Sequence, residues 1–186
     1  MVSVLLGSLW LAGCAEPAGS GTEESSAPAA PPTLKPSRVP AAAAGAACEL
    51  LDYGTLEQTL GVSFEVAAGG QKDKTQTCVL QIAGAPAPDL TLAVTPSNAD
   101  PGVFRKTVKP KGAAELTGLG KAGYQLAVAA KPDAGRGPGV EIGWLSASKR
   151  ILVLRCTLSV DTPQEEADAL AGKLVDLAKQ LEQMPA

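Results

Sequence analysis

Four cysteines in a chain without histidine set the chemistry that is available here. Cys14 closes the run Leu11-Ala12-Gly13-Cys14 at the end of a short apolar stretch. A small pair before a cysteine at that place is a bacterial lipobox. It makes the Cys14 thiol the acceptor for diacylglycerol and the first residue of the mature chain. Cys48, Cys78 and Cys156 remain, an odd number for an oxidising compartment. Cys48–Cys78 is the preferred bridge, because it staples the start of the domain to an early strand. Cys78–Cys156, joining two strands on their core faces, is the rival. With the first pairing, Cys156 is a possible free thiol on a Leu-rich strand face, where it packs as a small hydrophobe.

The missing histidines remove the commonest general base and metal ligand together. Neither a Ser-His-Asp nor a Cys-His site can be assembled. There is no CxxC, and no metal or cofactor is expected. Gly118-Leu119-Gly120-Lys121-Ala122-Gly123 has the count of Gly-x-Gly-x-x-Gly, but a strand rather than a helix is expected to follow and no Lys-Ser/Thr comes after it, so it is not read as a phosphate-cradling loop. Its glycines read as a tight turn. Ser146 and Ser148 lie near Lys149 without Ser-x-x-Lys, and read as turn serines. Asp133-Ala134-Gly135-Arg136-Gly137 reads as a mobile loop rather than a ligand clamp. Arg105, Lys106, Lys109 and Lys111 form a basic cluster. A solvated face is the plain reading, and anionic lipid heads or a wall polymer the functional one. Trp144 and Tyr124 read as core residues, with the lining of an apolar cleft as the alternative. No pair of residues is placed by spacing for catalysis, so a non-enzyme is expected.

The segments that carry these residues differ sharply in composition. Residues 1–13 read as a lipoprotein signal peptide, with an apolar core too short for a bilayer span of about 20 residues. The usual basic residues before that core are absent. Residues 14–47 read as the lipidated cysteine and a disordered Ala/Pro/Ser-rich stalk, unable to bury enough surface to offset chain entropy. Residues 48–186 are one domain, large enough for a core of its own. The formal net charge of −3 and the 3% aromatic content oppose a nucleic-acid face. Ala, Gly and Pro usage fits a GC-rich genome.

Within the domain, Asp52 is placed to cap a helix over Tyr53–Leu60, with Gly61 as its stop. Apolar alternation predicts strands over Val62–Ala67, Thr75–Ala83, Asp89–Thr95, Gly123–Ala130, Val140–Ser146 and Arg150–Val160. Gly69-Gly70-Gln71-Lys72-Asp73-Lys74 is turn chemistry. Asp100-Pro101 starts a short middle helix. Thr162-Pro163-Gln164-Glu165 has the form of a capping box, with Thr162 as the cap of a last helix that carries Leu170, Leu174, Leu177, Ala178 and Leu181. The expected fold is α+β: a mostly antiparallel sheet of about six strands packed by N-terminal, middle and C-terminal helices.

The order of these motifs resembles the actinobacterial secreted lipoproteins of unknown function that carry one two-cysteine α+β domain. The resemblance rests on Cys48-Glu49-Leu50-Leu51, Leu60-Gly61, Cys78, the bend Gly118-Leu119-Gly120 leading to Tyr124, and Leu177-Ala178. Lys121 stands where an acidic residue often follows the bend, Val79-Leu80 where an aromatic is common, and Cys156 is extra. The resemblance implies an envelope location and a PsbP-like sandwich, and no reaction. The expected role is a membrane-anchored, extracytoplasmic protein-docking module, held on the outer face of the cell membrane by lipid on Cys14. The alternative is a carrier or sensor for a small apolar or lipid ligand.

Overall fold

Strands that alternate apolar and polar side chains turn one face to a core and one to water. The computed structural model describes residues 38–184. Its strands are β1 (Val66–Lys72), β2 (Thr75–Gln81), β3 (Asp89–Pro96), β4 (Ala114–Leu116), β5 (Ala122–Val128), β6 (Gly139–Leu145) and β7 (Arg150–Thr157). They form one 7-stranded sheet in the order β1-β2-β3-β7-β6-β5-β4, every neighbouring pair antiparallel. The helices are α1 (Tyr53–Leu60), the single turn α2 (Pro101–Val103), and α3 (Gln164–Gln183). The α+β class with an antiparallel sheet is as expected. The strand absent from the sequence reading is β4, three residues on the sheet edge, too short to show alternation.

The register defines the core. Leu80, Leu90, Cys156 and Val140 lie opposite one another across β2, β3, β7 and β6, and Cys78, Leu92, Leu154 and Ile142 form the next row. All eight are buried. Against this face pack Leu56 and Leu60 of α1 and Leu170, Leu174, Leu177 and Leu181 of α3. Each buried Leu contributes about 1.5–3 kcal/mol. Polar contacts fix α3 to the sheet side and to α1. Trp144 Nε1 donates to Glu182 at 2.9 Å, and the other Glu182 oxygen accepts from the Ala147 backbone at 2.8 Å. Lys173 Nζ donates to the Leu60 carbonyl at 3.3 Å, satisfying a free acceptor at the end of α1.

The helix ends follow local chemistry, with one exception. Asp52 accepts from the Thr55 N–H at 2.9 Å, and Gly61 takes the left-handed conformation that stops α1. Asp100 caps α2 through the Val103 N–H at 2.9 Å. Thr162 does not cap α3. The flanking residue is Pro163, which makes no side-chain cap bond, and Gln164 binds Asp168 instead. The proline ring holds the chain extended at the position where the helix starts, so Pro163 itself is the boundary.

Most strand ends shift by one to three residues, and two boundaries move further. The first strand is Val66–Lys72, not Val62–Ala67, so the glycine pair assigned to a turn lies inside it. A Cβ on Gly69 would meet the carbonyl oxygens of Ala44 and Gly45, so the bare backbone admits the incoming chain. That incoming chain is the second correction. Ala41–Ala44 and Ala46–Leu50 are 3-10 turns, with Ala41 and Ala47 buried. The packed part of the described chain therefore takes in residues 41–47, the end of the segment expected to be stalk. The small side chains that made it read as stalk are what let it lie against β1.

Candidate functional site

The second face of the sheet carries the polar half of each alternation. One row runs Val79, Thr91, Arg155, Glu141, Leu126 across β2, β3, β7, β6 and β5. The next runs Gln81, Asp89, Thr157, Gly139. Over β2, β3 and β7 these rows floor an open cleft of about 380 Å³, lined by Val79, Gln81, Asp89, Thr91, Arg136, Arg155 and Thr157. Arg136 comes from outside the sheet. The 3-10 turn Pro132–Ala134 ends at Gly135 in the left-handed conformation, and Lys131 and Arg136 exchange backbone hydrogen bonds of 2.7 and 3.1 Å. Gly137 then abuts the Leu158 and Ser159 carbonyls, leaving no room for a Cβ. The loop read as mobile thus closes on itself beside the end of β7, with Arg136 at the cleft.

The electrostatics are a chain of linked groups. Tyr124 donates its hydroxyl to Glu141 Oε1 at 2.9 Å. Arg155 reaches Glu141 Oε2 at only 3.9 Å. Arg136 takes part in none of the ion pairs among the described residues. Burial pushes the Asp89 carboxyl above the ordinary carboxylate range, against the pull of Arg155, Arg136 and the Thr157 hydroxyl. Burial and the Glu141 charge raise the Tyr124 phenol as well, so it stays a donor. Gly143 makes room for this geometry: a Cβ there would strike the Tyr124 ring. Among the described residues, two guanidiniums thus keep most of their fork-shaped donors without a partner. A carboxylate or another planar acceptor matches that arrangement.

The other sequence-derived residues fall as follows. Cys14 lies outside the described residues. Cys48 and Cys78 are joined in a disulfide with Cα atoms 4.8 Å apart. Cys156 is free and buried, and burial with the nearby Asp89 charge pushes its thiol up to about 12. It is a core residue by its burial, and the thiolate needed for reactivity is disfavoured at neutral pH. Trp144 and Tyr124 are both buried but belong to different clusters, so they do not line one cleft. Ser146 and Ser148 hydrogen-bond to each other at 2.9 Å in the β6–β7 turn. Among the described residues no group of His, Cys, Asp and Glu can hold a metal, and no helix is long and apolar enough to cross a membrane.

Asp89, Thr91, Glu141, Arg155 and Thr157 escaped the sequence reading. Their signal was only the polar half of each strand's alternation. Nothing local reveals that β3 and β7, far apart in the chain, lie side by side. Compared with known proteins, the chain matches no family model, no curated protein sequence and no solved structure.

Proposed function

We propose that the chain is an extracytoplasmic lipoprotein, anchored by lipid on Cys14, whose domain is a non-enzymatic docking module. We read its fold as a PsbP-like sandwich, with α1 and α3 on one face of the sheet and the middle segment on part of the other. The partner is an acidic segment of another envelope protein, received on the open face. The observation that carries this reading is the pair Arg136 and Arg155 over a polar cleft, with most of their donors unused among the described residues. A cleft lined by Asp89, Thr91, Thr157 and two arginines suits a polar partner better than the alternative, an apolar or lipid cargo.

The test is site-specific photo-crosslinking in intact cells of the native host. A crosslinker at Thr91 should give a discrete adduct that disappears with Arg155→Glu. One at Glu57, on the helix side, should give none. Equal adducts from both positions, or none from Thr91, would overturn the docking assignment. The anchor has its own readout: Cys14→Ser should release the protein from the membrane fraction.

A further inference from the structure

Residues 101–123 gather Arg105, Lys106, Lys109, Lys111 and Lys121 against the single acid Glu115, while acidic residues outnumber basic ones in the rest of the described chain. We propose that this region is a second contact surface, which lays the domain against an anionic phospholipid headgroup layer. It is separate from the open cleft and independent of its partner. The cations are held by packed structure. The π-helical turn Phe104–Val108 buries Phe104, whose ring stacks on Tyr124 at 6.0 Å between centroids. Ala113, Ala122 and Leu145 complete that cluster. Arg105 and Lys106 project from its outer side and are exposed.

Lys121 is fixed separately. It follows the Gly118-Leu119-Gly120 bend, where Leu119 is buried and the Lys121 N–H donates to the Leu145 carbonyl at 2.8 Å. Between Arg105 and the bend lies a notch of about 200 Å³, lined also by Glu115, Thr117 and Lys121. Glu115 draws Arg105 and Lys109 to itself at 3.9 and 4.0 Å. Lys106, Lys111 and Lys121 take part in no described ion pair. Val103, 46% exposed, adds an apolar tooth one residue before Phe104. Clustered exposed cations beside an apolar side chain fit a charged lipid surface better than a soluble phosphate, which has no use for the valine. Lipid on Cys14 would keep that surface within reach.

The experiment is vesicle flotation of the full chain carrying Cys14→Ala, so that no attached lipid contributes. Phosphatidylcholine vesicles with and without phosphatidylglycerol are compared. The apolar run at residues 2–13 sets a common baseline for both. The expected result is at least a tenfold gain in bound protein with phosphatidylglycerol. Salt at about 1 M, where the Debye length is about 3 Å, should abolish that gain. So should the triple variant Lys106→Glu, Lys111→Glu, Lys121→Glu. The pair Lys72→Glu, Lys74→Glu at the β1–β2 turn should leave it intact. Equal binding to both vesicles, or an equal loss with the two variants, would overturn the proposal. Because Cys14 is absent throughout, failure here is distinct from failure of the anchor, and the Thr91 adduct reports separately on the cleft.

Discussion

The two faces of the sheet are built from the same strands and do opposite things. On one face Leu80, Leu90, Leu92, Ile142, Trp144 and Leu154 are sealed beneath α1 and α3. On the other, Gln81, Asp89, Thr91 and Arg155 stand half-buried around an open cleft. The first face is held by area and fit, where every lost methylene is felt. The second is held by the register that the first imposes. A one-residue slip would exchange the two sets, which is why the apolar face can place Arg155 opposite Glu141 without any strong bond between them. The packing of one face and the polar chemistry of the other are therefore separable in this fold.

The hardest way to break that separation is a cut into the sealed face. Trp144→Ala should lower stability by about 3–5 kcal/mol in urea unfolding, from lost packing and the orphaned Glu182 contact. Arg155→Ala, on the open face, should change it by no more than about 0.5 kcal/mol while removing the Thr91 crosslink. Similar losses from both would show that the faces are not independent. The disulfide belongs to the sealed side. Replacing both Cys48 and Cys78 with Ala should cost about 3–4 kcal/mol for a closed loop of this length, read by the same titration. Asp52→Ala should cost about 1 kcal/mol through the lost cap of α1.

Smaller effects sharpen the comparison through protonation. The folded Asp89 carboxyl binds its proton more tightly than the unfolded one, because burial raises its pKa. Its contribution to stability is thus greatest at acid pH and declines as pH rises through the carboxylate range. Asp89→Asn should remove that decline from the urea midpoint measured against pH. An unchanged pH profile would mean that the cleft is wetter than its geometry implies. On the sealed face, Cys156 should resist alkylation in the native protein at neutral pH and react promptly once unfolded. Rapid native labelling would place its thiol at the surface.

Much of this was legible because it is local. Asp52 and Gly61 bracket α1, Asp100 opens the middle turn, and Leu170 through Leu181 mark the buried stripe of α3. Where the reading failed, a tertiary contact overrode local chemistry. Gly69 and Gly70 look like a turn until the carbonyls of Ala44 and Gly45 come down on Gly69. The alanines before Cys48 look like stalk until Ala41 and Ala47 are found buried. The candidate site was the least legible part. Its residues are ordinary strand polars, and only strand order joins them.

The sequence by itself determined the α+β class, the alternation of most strands, the caps of the first helices and the range of chemistry, because each depends on neighbours within a few residues. The tertiary structure alone decided the pairing of β3 with β7, the Cys48–Cys78 bridge over its rival, the burial of Cys156 and the meeting of Arg136 with Arg155. Those depend on which apolar rows pack together. That choice is made by the summed burial of the whole sheet, to which no single segment holds the key.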